Sequence, residues 1–215
     1  MNNMVFPSIG IDRHRIGRDG QGITTLVCAY GCPLGCPMCL NPQSKYPETK
    51  IRRFTVKQLY DEVKADNLYF LSTGGGITFG GGEPLLYAEF INEFKSICSP
   101  EWKINIETSL NIDENNVGLG AFAADEFIVD IKDMNPEIYK AYTGCDNKIV
   151  LNNLMLLLDL IGPQRITVRV PLIKNYNTAD DCGRSVDALR KMGITRIDRF
   201  EYVDVNSKLE VLRGK

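Results

Sequence analysis

The sequence predicts a parallel α/β domain, on three observations. Six apolar runs alternate with helical segments along the 215 residues, and such alternation calls for parallel strands joined by right-handed crossovers. A hydrophobic content of 44% over that length is enough for one large domain with a full core. The residues with the most distinctive chemistry fall just after or at the ends of those runs, where parallel α/β proteins gather their active sites. Six strands are too few for a closed eight-stranded barrel, and no repeat or low-complexity tract interrupts the pattern.

Taken in order, Ile11 to Gly22 is polar and glycine-rich, and Arg18-Asp19-Gly20-Gln21-Gly22 reads as turns leading into the first strand. Ile23 to Ala29 is apolar and β-branched, a buried strand with Cys28 as a small core residue. Thr55 caps an amphipathic helix running to Asn67, with Val56, Leu59, Tyr60 and Val63 at helical spacing. Ile77-Thr78-Phe79 is a three-residue strand between the glycine clusters 74–76 and 80–82, and Tyr87 to Ile97 is the helix after it. Lys103 to Thr108, Asp125 to Lys132, Arg165 to Pro171 and Arg196 to Val203 read as further strands. The helices between them are Asp113 to Ala123, Asn152 to Leu160, and Thr178 to Met192, the last with Ala179, Cys182, Val186 and Leu189 on one face.

Charge and composition exclude several classes of function. Lys and Arg number 25 against 27 Asp and Glu, so the balance does not favour nucleic acid or an anionic membrane as the main partner. The N-terminus lacks a cationic start and a long apolar core, and no run is long enough to cross a bilayer. Seven cysteines, an odd number without a secretion signal, fit a reducing compartment, and the expected location is the cytoplasm.

The segment Cys32-Pro33-Leu34-Gly35-Cys36-Pro37-Met38-Cys39 spaces three thiols as C-x3-C-x2-C in a loop that prolines and a glycine keep irregular. Thiolates are soft ligands suited to zinc or iron–sulfur clusters. Structural zinc usually takes two separate pairs, and no second pair is present. Three thiolates on a four-iron cube leave one iron open to a substrate or cofactor, which points to catalysis. Reduced thiols without metal are the alternative. Cys28 is disfavoured as a fourth ligand because the pleat fixes a strand side chain.

The string from Tyr30-Gly31-Cys32 through Cys39-Leu40-Asn41-Pro42 resembles the radical S-adenosylmethionine (SAM) superfamily. More narrowly it resembles the activating enzymes of glycyl-radical enzymes, of the pyruvate formate-lyase activating kind. The resemblance covers roughly Ile16 to Tyr202 and implies an open, TIM-like (β/α)6 partial barrel: one domain over 1–215 with a core of about 23–203. It implies a [4Fe-4S] cluster on Cys32, Cys36 and Cys39, with SAM chelated at the open iron. One electron from a reduced flavodoxin or ferredoxin would cleave SAM to a 5′-deoxyadenosyl radical. That radical would then take hydrogen from a glycine of a partner glycyl-radical enzyme.

By the same resemblance Gly81, Gly82 and Glu83 belong to the Gly-Gly-Glu-Pro signature for the SAM amino group. Thr108, Asp130, Lys132 and Arg169 would lie beside SAM, and Met38 would stand near the adenine where the superfamily usually has an aromatic residue. Glu107 replaces an Asp, which puts a monovalent cation site in doubt. Tyr202-Val203-Asp204 stands where the activases place a His, and the single histidine, His14, is expected at the surface. The chain ends at Lys215, where activases continue through another helix, so the resemblance implies a short variety or a truncated chain. Cys98, Cys145 and Cys182 are expected to pack, and the spacing lacks the eight-cysteine insert of some activases. A radical SAM enzyme acting on another peptide or small molecule stays open, as does a non-catalytic iron–sulfur electron carrier.

Overall fold

The computed structural model describes residues 4–202. Strands β1 (Phe6–Ile16), β2 (Ile23–Ala29), β3 (Arg52–Phe54), β4 (Gly76–Gly81), β5 (Lys103–Thr108), β6 (Glu126–Asp130), β7 (Ile166–Leu172) and β8 (Arg196–Glu201) form one sheet in the order β3-β1-β2-β4-β5-β6-β7-β8. From β2 onward every pair is parallel, so the six expected strands are all present and follow one another in chain order. Monotonic order with right-handed crossovers puts successive helices on one face of the sheet and leaves the other face as an interior. Those helices are α1 (Val56–Val63), α2 (Asn67–Thr73), α3 (Ala88–Ile97), α4 (Glu114–Ala123), α5 (Pro136–Thr143), α6 (Lys148–Ile161) and α7 (Ala179–Lys191).

Strand alternation divides the side chains accordingly. Val27, Ile77, Phe79, Ile104, Ile106, Phe127, Val129, Val168 and Val170 point to the helices and join the main hydrophobic core. Their neighbours Leu26, Cys28, Thr78, Asn105, Glu107, Asp130, Thr167 and Arg169 take the opposite face. The interior is therefore largely polar, a place for a ligand rather than a packed core. Phe79 sits in an aromatic group with Phe6 and Phe94, at ring separations of 5.5 Å each, which binds α3 to the sheet.

Several expectations need correction. The turns expected at 18–22 are present, but a strand not expected precedes them: β1 runs to Ile16 and pairs antiparallel with β2, its register slipping between Asp12 and Arg15, where His14 takes a φ of 58°. Ladder bonds to a strongly apolar neighbour outweigh the weak β-propensity of those residues. The turn that follows does close the barrel from below, since the Asp19 carbonyl accepts from Thr78 Oγ1 at 2.6 Å and Asn105 Nδ2 at 3.2 Å. The expected three-residue strand extends through glycines as β4, because the sheet leaves no room there: a Cβ on Gly76 would lie 2.0 Å from the Lys103 carbonyl oxygen. The single helix expected from Thr55 to Asn67 is α1, a 3-10 turn and α2. Helix α5 was not expected at all, although Asn135 caps it and Pro136 opens it. His14 is exposed, as expected, and lies beside Asp66 and Tyr69. The expectations about Val203, Asp204 and a missing last helix lie outside the described residues.

Phe79→Ala should lower unfolding stability by about 3–5 kcal/mol, through lost burial plus the cavity left behind. Urea unfolding followed by circular dichroism measures it.

Candidate functional site

The cysteine loop begins where β2 ends and is pinned on both flanks. Gly31 N donates to the Ser44 carbonyl at 2.7 Å, and Gly35 N donates to the Thr143 carbonyl at the end of α5, also at 2.7 Å. Lys45 Nζ reaches the Leu34 carbonyl at 3.1 Å, and Leu34 itself is buried, so the loop cannot swing freely. Cys32, Cys36 and Cys39 are half-buried and line one cavity of about 400 Å³, together with Gly81, Gly82, Thr108, Asp130 and Lys132. Burial pushes the Cys32 thiol up to about 11 and raises that of Cys36, while Lys132 and Lys45 pull Cys36 back.

The glycines at the end of β4 allow close backbone contact. Gly82 N donates to the Ala29 carbonyl at 3.1 Å and Glu83 N to the Gly31 carbonyl at 2.7 Å. A Cβ on Gly82 would lie 2.3 Å from that Gly31 oxygen. The requirement for glycine here thus comes from the neighbouring chain, and the bare backbone also forms a cavity wall.

Glu83 is placed differently from the sequence expectation. Its carboxylate turns inward, fully buried, and accepts from Leu85 N (3.2 Å), Thr108 Oγ1 (2.7 Å), Ser109 N (3.0 Å) and Ser109 Oγ (2.7 Å). Burial raises its pKa, and the bonds from Ser109 and Thr108 oppose that rise. With its acceptors engaged, this carboxylate ties β4 to β5 and is not among the residues lining the cavity. Met38 is half-buried in the loop and also stands outside the lining, to which its neighbours Leu40 and Asn41 contribute.

Asp130 and Lys132 form an ion pair inside the site. Lys132 Nζ lies 2.9 Å from Asp130 Oδ2, donates to Tyr202 Oη at 2.7 Å, and sits 5.2 Å from the centre of the Tyr202 ring. Burial works against the ammonium, but Asp130, Tyr202 and Cys36 outweigh it and hold the Lys132 pKa well above its usual value. The other Asp130 oxygen, Oδ1, is buried without a hydrogen-bond partner. An unpaired buried acceptor on a cavity wall is costly unless a donor from a ligand completes it.

Arg169 lies next door, in a cavity of about 560 Å³ that it lines with Arg18, Glu107, Asp130, Asp198, Phe200 and Tyr202. Its guanidinium donates to Glu107 Oε1 at 2.5 Å and to the Arg18 carbonyl, so its charge is balanced within the protein. Burial lowers its pKa, and Glu107 and Asp130 more than restore it. Sequence reasoning passed over Ser109, which follows directly on Glu107-Thr108 at a strand end. It also took Cys28 for a core residue. Cys28 instead lines the cysteine cavity, half-buried, with burial first and Glu107 second pushing its thiol up to about 12.

Among the described residues no three His, Cys, Asp or Glu side chains converge on a point where one metal ion could sit. A single tetrahedral ion needs its sulfurs about 3.8 Å apart, given a metal–sulfur bond of about 2.3 Å. A polynuclear cluster takes one thiolate per iron and spreads its ligands further. Three soft donors spaced around a cavity, a partnerless buried carboxylate oxygen and a fixed ammonium therefore fit an iron–sulfur cluster with a polar cofactor beside it.

Glu83→Ala should cost about 2–4 kcal/mol, since it strands the donors of Thr108 and Ser109 in the interior. Chemical denaturation of the metal-free protein reads the loss, and a change under 1 kcal/mol would contradict the bridging role.

Comparison with known proteins places the chain in a family. An activating enzyme of (2S)-3-sulfopropanediol dehydratase from Klebsiella oxytoca is 27% identical over 257 residues, covering 86% of this chain and 80% of its own. An activating enzyme of 4-hydroxyphenylacetate decarboxylase from Clostridioides difficile is 25% identical over 281 residues, covering 100% of this chain and 86% of its own. Both alignments are longer than the chain segment they take in, so these relatives carry insertions that this chain lacks. Among solved structures, Streptococcus suis SuiB bound to S-adenosylmethionine superposes with a TM-score of 0.63 at 15% identity, over 82% of this chain. The match spans 39% of the SuiB chain and shows a shared fold. The Radical SAM superfamily profile matches residues 26–182, from the strand that feeds the cysteine loop to the helix after the fifth parallel strand. That is well over half the sequence, and the chain belongs to the radical SAM superfamily.

Proposed function

We propose that this chain is the activating enzyme of a glycyl-radical enzyme, working as a single domain with a reduced flavodoxin or ferredoxin as electron donor. The observation that carries the reading is the convergence of Cys32, Cys36, Cys39, the Gly81-Gly82 backbone, Asp130 and Lys132 on one cavity. Several relatives bear names of glycyl-radical activating enzymes, which supports the choice of substrate. When bound, the cluster and SAM supply one-electron reduction and homolytic carbon–sulfur cleavage, giving methionine and a 5′-deoxyadenosyl radical.

The chain's own residues do the rest. Cys32, Cys36 and Cys39 hold the cluster on a loop clamped from two sides. The Gly81 and Gly82 backbone receives the polar head of SAM, and the free Asp130 Oδ1 accepts from a hydroxyl or amino group. Lys132 pairs with Asp130 and faces anionic groups of the cofactor. Glu83 and Thr108 act one step back, holding the wall that SAM touches. The neighbouring cavity between Arg18, Arg169, Phe200 and Tyr202 lies on the open side of the barrel, where β8 ends and no further strand pairs among the described residues. A peptide loop bearing the target glycine enters there, and its seating closes the opening and displaces water from the reacting atoms.

Anaerobically reconstituted protein given SAM and a strong reductant should form 5′-deoxyadenosine, with a Cys36→Ala control at background. Cys98→Ala should keep its iron, because that residue lies in the helical core away from the loop. Asp130→Ala should weaken SAM binding about tenfold with iron content unchanged, as expected for one charge-assisted hydrogen bond. Equal SAM affinity in the two proteins would remove Asp130 from the cofactor site.

A further inference from the structure

Helix α5 buries two hydroxyls without a partner. Tyr139 and Tyr142 stand three residues apart on it and so share one face, and each is 1% exposed. Neither phenol oxygen has a hydrogen-bond partner among the described residues. A buried tyrosine ordinarily finds an acceptor for its hydroxyl, because taking that group out of water with no replacement is costly. Two such hydroxyls on one face of one helix mark a place where an acceptor belongs.

The position of α5 identifies the acceptor. The helix ends against the cysteine loop: the Thr143 carbonyl, next to Tyr142, accepts from Gly35 N at 2.7 Å, and a Cβ on Gly35 would lie 3.1 Å from that same oxygen. Cys32 and Cys36 pack against the core cluster that contains Tyr139. The Tyr142 ring centre lies 6.4 Å from that of Tyr202, which lines the cavity together with the three loop cysteines. Burial raises the pKa of both phenols, and charge on Cys36 adds to the rise in each, after Tyr202 in the case of Tyr142. Both groups therefore stay protonated at neutral pH and can donate. On the loop, the carbonyls of Pro33 and Leu34 already accept from Cys145 Sγ at 3.7 Å and Lys45 Nζ at 3.1 Å. Anionic sulfur is the acceptor that metal-bound cysteines bring to this position.

We propose that Tyr139 and Tyr142 donate hydrogen bonds to sulfur on the Cys36 side of the iron–sulfur cluster and raise its reduction potential. A donor beside cluster sulfur favours the reduced, more negative form, and such bonds are one of the levers that set cluster potentials. Helix α5 thus clamps the loop with its last carbonyl and eases electron uptake with its buried face. The inference rests on the assignment of the cluster to Cys32, Cys36 and Cys39 under the proposed function, and it concerns the cluster's potential, not its substrate.

The test uses the full chain with its cluster loaded, as wild type and as Tyr139→Phe combined with Tyr142→Phe. At the poise where half the wild-type cluster is reduced, the ratio of reduced to oxidised cluster should fall about tenfold in the double variant, a shift of about 59 mV for one electron, read by an EPR-monitored redox titration. Tyr142→Phe alone should give a smaller fall in the same direction, and it carries the test if the double variant takes up less iron. Tyr176→Phe removes a hydroxyl from the half-exposed ring packed 4.9 Å from Tyr142 and should leave the ratio within about twofold. A set of proton couplings to the reduced cluster that exchanges in D2O should be present in wild type and lost in the double variant. In metal-free protein the double variant should unfold at the same urea concentration or higher, since only unpartnered hydroxyls are removed. An unchanged potential with full iron content would overturn the proposal, and a lower urea midpoint in that same variant would then assign the hydroxyls to the packing of α5. A shifted potential in a protein that makes no 5′-deoxyadenosine would support the inference and count against the proposed function. Formation of 5′-deoxyadenosine at an unshifted potential would do the reverse.

Discussion

The site depends on a single buried carboxylate. Glu83 lies where β4 ends, and its side chain accepts from Thr108 and Ser109 at the end of β5, while its own backbone nitrogen donates to Gly31 on the cysteine loop. Three strand ends are thereby fixed to one another within hydrogen-bond distance. A buried charge is tolerated when it is fully hydrogen-bonded, and here the donors come from the elements that must be held. The motif loop inherits its position from this junction, as does the glycine wall opposite it.

The division of the sheet into two faces explains why there is room for a cofactor at all. Apolar residues alternate outward onto the helices, and Phe79, Phe127 and Val168 are fully buried there. Inward positions are short or charged, and the charges are balanced in pairs: Arg169 with Glu107, Lys132 with Asp130, Arg15 with Asp19. Such pairs keep an interior open without leaving isolated charge in it. The turn carrying Asp19 closes the lower end, so among the described residues the polar space opens toward the cysteine loop and the edge of β8.

The inner side of the same loop, with the thiols, faces Lys132 and Asp130. Tyr202 is part of the inner arrangement: its hydroxyl accepts from Lys132, so a neutral phenol completes the ammonium's shell.

What the sequence determined by itself was local in origin. Six apolar runs in alternation with helices specified the parallel sheet, because periodicity and β-branching are properties of neighbouring residues. The spacing of Cys32, Cys36 and Cys39 singled out the loop proposed to hold the cluster, since three soft ligands within eight residues stay close together whatever surrounds them. The sequence did not disclose that β1 would be a strand, because its polar residues gain strand geometry only by pairing with β2. Nor did it disclose that the Glu83 carboxylate would point at Ser109 instead of the cavity, or that Cys28 would line the site. Those outcomes turn on which face a side chain takes and what stands opposite it, and strand register between residues far apart in the chain decides both.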